Sequence, residues 1–189
     1  MARAEAIFEL GRAEDAIAEY TKVIALGKGQ FKAYFNRALV YDSIDKDKEA
    51  VDDLTKAIEL EPESANTYFN RAESLVSMGD LRRAIEDFSA YIRFSPDEAD
   101  GYTRRGTVYI GLEEYDLARE DLGKALHLDP KYVDAIIGSA RLLMVEDKLD
   151  SALKELEKAL SLEPENSYAL SNRADIFYWT GEHSRAIED

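Results

Sequence analysis

Side chains able to do chemistry are sparse in this chain, and their spacing matches no catalytic or metal-binding set. The two histidines, His127 and His183, are more than fifty residues apart, and neither has the second histidine or cysteine three or four places away that a zinc site on a helix needs. Cysteine is absent, which excludes disulfide and thiolate chemistry. The run Asp45-Lys46-Asp47-Lys48-Glu49 begins like a calcium loop, but Ala50 and Lys56 stand where the turn glycine and the bidentate glutamate belong. Gly101 and Gly106 have the spacing of a phosphate loop without its lysine, and Gly27-Lys28-Gly29 has a lysine without the loop. With 39 acidic residues, adjacent carboxylates such as Glu113 and Glu114 read as solvated surface. These residues point to a protein that is not an enzyme and that needs no cofactor and no metal.

One charged pattern is ordered. Arg3, Arg37, Arg71, Arg105 and Arg173 share one column of a 34-residue period, and Glu19, Asp53, Asp87, Asp121, Glu155 and Asp189 share another, sixteen residues further on. The unit that lacks the arginine has Ser139 in its place and also lacks the aspartate, carrying Glu155 instead. Pairing between the two columns explains both facts better than an anion-binding ladder. The spacing predicts contacts between Arg37 and Asp53, Arg71 and Asp87, and Arg105 and Asp121.

The elements that hold this pattern follow from the same period. Pro62, Pro96, Pro130 and Pro164 stand 34 residues apart, each closing an apolar run. A fixed period of this length marks a stacked-repeat architecture, with repeats at 31–64, 65–98, 99–132 and 133–166 and partial units at 1–30 and 167–189. Numbered so that each proline falls at position 32, position 20 is alanine in all six units and position 8 is alanine in all but one, where Gly106 stands. Small residues at both places let two helices approach closely. Larger residues fill positions 4, 11 and 24, among them Tyr34, Tyr68, Tyr102, Leu75, Leu54 and Phe88, which are expected in the core.

Within a unit the apolar residues recur at three and four, the period of two amphipathic helices. Gly11, Gly79 and Gly181 suit the C-terminus of the first helix, and Asp80 is placed to cap the second. The proline then removes a donor and turns the preceding residue out of helical geometry.

Positions 4, 8, 11, 20, 24 and 32 together resemble the tetratricopeptide repeat, over the whole chain. The resemblance implies an all-α fold, a right-handed superhelical solenoid of antiparallel helix pairs in one array from 1 to 189. Departures from the pattern are local: Tyr91 at position 27, Arg119 at position 21, and Asp47 and His183 at position 17. The chain starts inside one helix and ends two turns into another, so it is expected to be an excerpt of a longer protein.

A net charge of −15 argues against nucleic acid and anionic membrane surfaces as partners, because both select a basic face. No apolar stretch is long enough to span a bilayer and no targeting signal is visible, which makes cytoplasmic the expected location.

What the resemblance implies about binding is a concave groove lined by positions 2, 5, 6, 9, 12 and 13 of each first helix. The site residues it assigns are Lys32, Phe35, Asn36, Leu39, Asn66, Phe69, Asn70, Glu73, Arg104 and Arg141. Val76, Ile110, Ile137 and Met144 add apolar area, and across the four complete units the groove is close to neutral. Asn36, Asn70 and Asn172 resemble the asparagine ladder with which some tetratricopeptide superhelices hold an extended peptide backbone, interrupted here by Arg104 and Gly138. The carboxylate clamp of chaperone-binding members is not matched: its places hold Phe35, Leu39, Asn70, Asp100 and Arg104.

The expected function is therefore an interaction scaffold for a protein or peptide partner. The competing reading is a structural spacer, or a module that self-associates end to end. Under the first, Phe69→Ala combined with Asn70→Ala should weaken binding without lowering the melting temperature.

Overall fold

The computed structural model describes residues 1–27 and 29–189. The Gly27-Lys28-Gly29 candidate depends on Lys28, which lies outside the described residues. Among the described residues there are twelve helices: α1 (Ala2–Glu9), α2 (Ala13–Ala25), α3 (Gln30–Asp42), α4 (Asp47–Leu60), α5 (Ala65–Ser77), α6 (Leu81–Phe94), α7 (Ala99–Gly111), α8 (Tyr115–Leu128), α9 (Val133–Val145), α10 (Leu149–Leu162), α11 (Ser167–Trp179) and α12 (His183–Glu188). They pair in sequence, and the fold is an all-helical solenoid of the tetratricopeptide type. Gly101 and Gly106 both lie inside α7, so their spacing forms no phosphate loop. No helix among the described residues is long and apolar enough to cross a membrane.

The stops are those that the prolines dictate. Glu61, Ser95, Asp129 and Glu163, each the residue before a proline, leave the helical region with φ of −133°, −136°, −133° and −132°. At the other bend, position 15 is left-handed in every unit. Gly11, Gly79 and Gly181 fill it in three units, with φ of 73°, 77° and 83°, and Asp45, Glu113 and Asp147 in the other three, at 56°, 62° and 60°. The sequence shows only the glycines, although the backbone demand is common to all six. Asp80 is a correction: it occupies the N-cap position of α6 but caps nothing, because its carboxylate accepts from Arg83 Nη1 at 3.1 Å. Among the described residues the one side-chain N-cap is Asn166, which accepts from the Ala169 N–H at 3.1 Å.

Glutamate tolerates a left-handed backbone poorly, and Glu113 is exposed. Glu113→Gly is therefore expected to stabilise the fold by about 1 kcal/mol, partly offset by the greater freedom of glycine in the unfolded chain. A urea titration would show the midpoint rising, whereas Gly79→Ala, at φ 77°, should lower it.

The chain divides into two compact units, Met1–Pro96 and Asp97–Asp189. In the first, Ala4, Ala16 and Tyr20 of the first pair form one cluster with Ala33 and Val40 of α3. In the second, Ile136, Ala140, Ala152 and Leu156 of α9 and α10 cluster with Ala169 and Ile176 of α11. Position 24 is buried wherever a complete second helix reaches it, as at Leu54, Phe88 and Leu156. Ala33 and Val40, like Ala169 and Ile176, are seven residues apart on one helix face and pack onto the preceding pair. These small and medium columns at positions 3 and 10 carry the packing between repeats.

The departures are absorbed locally. Tyr91 is buried with its ring 5.0 Å from that of Phe69. Arg119 pairs with Asp116 at 2.7 Å and with Glu146. The Asp47 carboxyl is pushed up by burial and by the neighbouring Asp42 and Asp45. The His183 ring lies 5.3 Å from that of Tyr178.

Candidate functional site

The arginine column is a structural device. Arg37 Nε and Nη2 donate to Asp53 at 2.6 and 2.7 Å, Arg71 to Asp87 at 2.7 and 2.7 Å, and Arg105 to Asp121 at 2.7 and 2.8 Å; Arg173 makes the same fork with Asp189. The three aspartates Asp53, Asp87 and Asp121 are buried. Nη1 of Arg37 and Arg71 reaches back to Thr21 and Thr55 of the preceding pair, at 2.7 and 3.1 Å. Hydrogen bonds to aspartate raise these guanidinium groups above their ordinary range, against the opposing effect of burial. A fork this well satisfied offers little to an external anion.

The face expected to bind is built differently in the two units. In the first, Lys32 and Asn66 are exposed, while Phe35, Asn36, Leu39, Phe69, Asn70 and Glu73 are half-buried. Phe35 packs beside Phe31, ring centroids 6.1 Å apart, and against the Ala38, Ala50 and Leu54 cluster. Phe69 meets the edge of Phe88 at 5.6 Å and Tyr91 at 5.0 Å. Both aromatics therefore give much of their area to their own unit. Asn70 Nδ2 donates to the Asn66 carbonyl one turn back at 2.7 Å, which leaves the amide oxygen as its acceptor for a peptide N–H. Asn36 is more engaged: its Nδ2 donates to Glu5 at 3.1 Å.

In the second unit the first helices enclose an open cleft of about 440 Å³. Arg104 and Thr107 come from α7, Asp134, Gly138 and Arg141 from α9, and Tyr168 and Asn172 from α11. Thr103 and Ile137 form its buried floor. Ile110 and Ile137, expected to add apolar groove area, are 7% and 6% exposed and belong to the core. Gly138 has a packing cause, since a Cβ there would lie 2.7 Å from Leu122 Cδ2. Its consequence is a bare patch where four of the other units carry Asn36, Asn70, Arg104 and Asn172.

Two arginines and one aspartate line this cleft. Arg104 lies 3.8 Å from Asp134, with both side chains close to half exposed, and Arg141 is exposed with no ion pair among the described residues. Asn172 repeats the geometry of Asn70, donating to the Tyr168 carbonyl at 2.6 Å. Tyr168, which the expected set omitted, is 73% exposed. It sits at position 2 of the incomplete last unit, outside the four complete repeats.

Asp100 is occupied internally, accepting a hydrogen bond from the Tyr132 hydroxyl. Burial, and then that bond to the carboxylate, raise the Tyr132 phenol well above its usual value. A pKa raised on folding favours the native state below the unfolded value of about 10, and that contribution is lost as pH climbs past it. Stability measured by urea from pH 8 to 11 should fall less steeply for Tyr132→Phe than for the wild type.

Comparison with known proteins agrees with this architecture. Four family models, each described as Tetratricopeptide repeat, match residues 31–64, 54–86, 99–132 and 137–189. The chain belongs to the tetratricopeptide repeat family. Among solved structures it is similar to MamA at 23% identity, covering 87% of this chain and 96% of that one with a TM-score of 0.78. A tetratricopeptide repeat protein from Parabacteroides merdae is 21% identical, covering 99% and 74% with a TM-score of 0.87. YrrB, described as a TPR protein with an unusual peptide-binding site, is 25% identical, covering 89% and 87% with a TM-score of 0.65. No curated protein matches by sequence.

Proposed function

We propose that this chain is a protein-interaction scaffold that holds an extended peptide segment against the exposed face of its first helices. The observation that carries this reading is the cleft of the second unit. It combines a buried floor of Thr103 and Ile137, arginine side chains, a peptide-sized space and an asparagine amide with its oxygen left over, on a rigid helical frame. An extended peptide brings backbone groups that need partners once desolvated, and Asn70 and Asn172 supply acceptors for them. YrrB supports the reading as a similar fold with a peptide-binding site.

The test is steric and independent of ligand charge. Dodecamer peptides selected from a displayed random library on the wild-type chain are expected to lose at least tenfold in affinity for Thr107→Trp, which fills the cleft, or for Asn70→Trp on the first unit. Circular dichroism should show unchanged helix in both. Peptides that bind both variants as tightly as the wild type would remove the proposed face.

A second reading, self-association or spacing, draws on the exposed side chains of α11 and α12, where Tyr178 is 64% and Ile187 85% exposed beside a second cleft. Sedimentation equilibrium at 100 µM separates the two: the scaffold reading expects a monomer, and a dimer dispersed by Ile187→Glu would favour the other.

A further inference from the structure

We infer that the repeat 133–166 carries an arginine-receiving slot, in which Glu155 of α10 takes the guanidinium group of an arginine supplied by a partner protein. The slot goes beyond the scaffold reading and does not use its cleft, which neither Glu155 nor Ser139 lines. Three observations carry it.

The first is a carboxylate without its partner. In the same column Asp53, Asp87, Asp121 and Asp189 each receive an arginine fork, and Glu19 has Arg3 at 3.7 Å and Lys22 at 2.6 Å. Glu155 is the sixth member, with Ser139 where its arginine would stand. It is half-buried and makes no ion pair or hydrogen bond among the described residues. Lys158 holds the place of Lys22 on the same helix, but it is exposed and does not pair with Glu155. A half-buried carboxylate gives up hydration that nothing in this fold returns, and an incoming cation would return it.

The second is room. In the first unit the Arg37 guanidinium lies 5.7 Å from the ring centres of Tyr34 and Tyr41, and its Nη1 is 2.7 Å from the Thr21 hydroxyl of the preceding pair. Around Ser139 the corresponding residues are Ile136, Leu143 and Gly123. Gly123 is exposed, and a Cβ there would meet nothing within 4 Å, so the wall that Thr21 builds is missing. Ser139 is only half-buried, and its hydroxyl makes no hydrogen bond among the described residues. The slot keeps the acid and aliphatic neighbours while losing the side chains that would fill it.

The third is reach. Asp53, Asp87 and Asp121 are buried beneath their arginines, whereas Glu155 is one methylene longer and partly open to solvent. A guanidinium arriving from outside can make with it the two parallel bonds that Arg71 makes with Asp87 at 2.7 Å. An ammonium is a point charge without that fork, so the slot distinguishes arginine from lysine, which a net charge of −15 alone would not.

The probe is the blocked peptide acetyl-Gly-Arg-Gly-amide, titrated into the nitrogen-15-labelled chain and followed by amide chemical shifts. The Gly123, Ser139 and Glu155 signals should move together and saturate. The lysine analogue of the peptide should bind about fivefold more weakly, and Glu155→Gln should weaken the arginine peptide by at least as much. Ser139→Arg, which puts the chain's own guanidinium in the slot, should abolish binding and raise the melting temperature. Glu165→Gln, an exposed acid in the turn before α11, should leave binding within twofold, which separates the slot from diffuse attraction to an acidic chain. Methylguanidinium binding as tightly as the peptide would support the same slot and assign it to a free guanidinium compound. Equal binding of the arginine and lysine peptides, unchanged binding to Glu155→Gln, or no saturating shift at the three amides would overturn the slot and leave the cleft reading untouched.

Discussion

Arg71→Ala is expected to cost about 3–5 kcal/mol. Removing the guanidinium leaves Asp87 buried, with only 7% of its side chain exposed and without the two donors now at 2.7 Å. It also removes the bond to Thr55 of the preceding pair at 3.1 Å and the cation lying 5.9 Å from the Tyr68 ring centre. The damage therefore spreads to the neighbouring repeat, which matters in a fold whose stability comes from adjacent pairs. Arg71→Lys should recover only part of the loss, because an ammonium cannot reproduce the fork. The double variant Arg71→Ala/Asp87→Ala should be less destabilised than the sum of the single variants, since it leaves no uncompensated charge. The chain contains its own control: Arg3 and Glu19 occupy the same columns at 3.7 Å with Arg3 79% exposed, so Arg3→Ala should stay within about 1 kcal/mol of the wild type. Urea titrations of these variants, combined as a double-mutant cycle, measure the coupling directly. A coupling between Arg71 and Asp87 no larger than that of the exposed pair would show that the fork is incidental.

The fork was legible in the sequence because both partners recur with the repeat and because the unit without the arginine also lacks the aspartate. The same logic exposed helix pairing, the proline stops and the alanine columns, each of which answers to one geometric demand repeated down the chain. Positions 3 and 10 were less visible, since Ala33, Thr67 and Ala135, or Val40, Ser74 and Leu142, vary in polarity while sharing one role. Ser74 shows why: it is buried yet satisfied by the Asn70 carbonyl and by Asp42, at 3.2 Å each, so a hydroxyl fits where other units place valine or leucine. The left-handed bend was half hidden for a related reason, as Asp45, Glu113 and Asp147 accept a backbone that glycine would advertise. For the binding face, spacing placed Arg104, Arg141 and Asn172 on one surface. The depth of the cleft depends on the Leu122 side chain beneath Gly138, a contact between helices that no periodicity within one helix reveals.

Phe88→Ala should cost about 3–5 kcal/mol, since the ring is fully buried in α6 and its removal leaves a cavity among close-packed neighbours. The consequence reaches the binding face. Phe69 stands on Phe88 and Tyr91 at 5.6 and 5.0 Å, so its position depends on the core beneath it. Phe69→Ala is accordingly expected to lower the melting temperature, in contrast to the expectation from sequence that Phe69→Ala with Asn70→Ala would leave it unchanged. Part of the ring is still exposed, and its loss should cost less than that of Phe88, about 1–3 kcal/mol. The two roles of Phe69 separate by measuring stability and peptide affinity on the same variants. Phe69→Leu retains most of the packing and should melt near the wild type, whereas Asn70→Ala, which removes only a bond to its own helix, should leave stability within about 1 kcal/mol. If Phe69→Ala melts with the wild type while losing the selected peptide, the ring belongs to the ligand. If it melts early and Phe69→Leu keeps both stability and affinity, the aromatic pair of α5 and α6 shapes the face from below and the peptide reads the polar side chains around it.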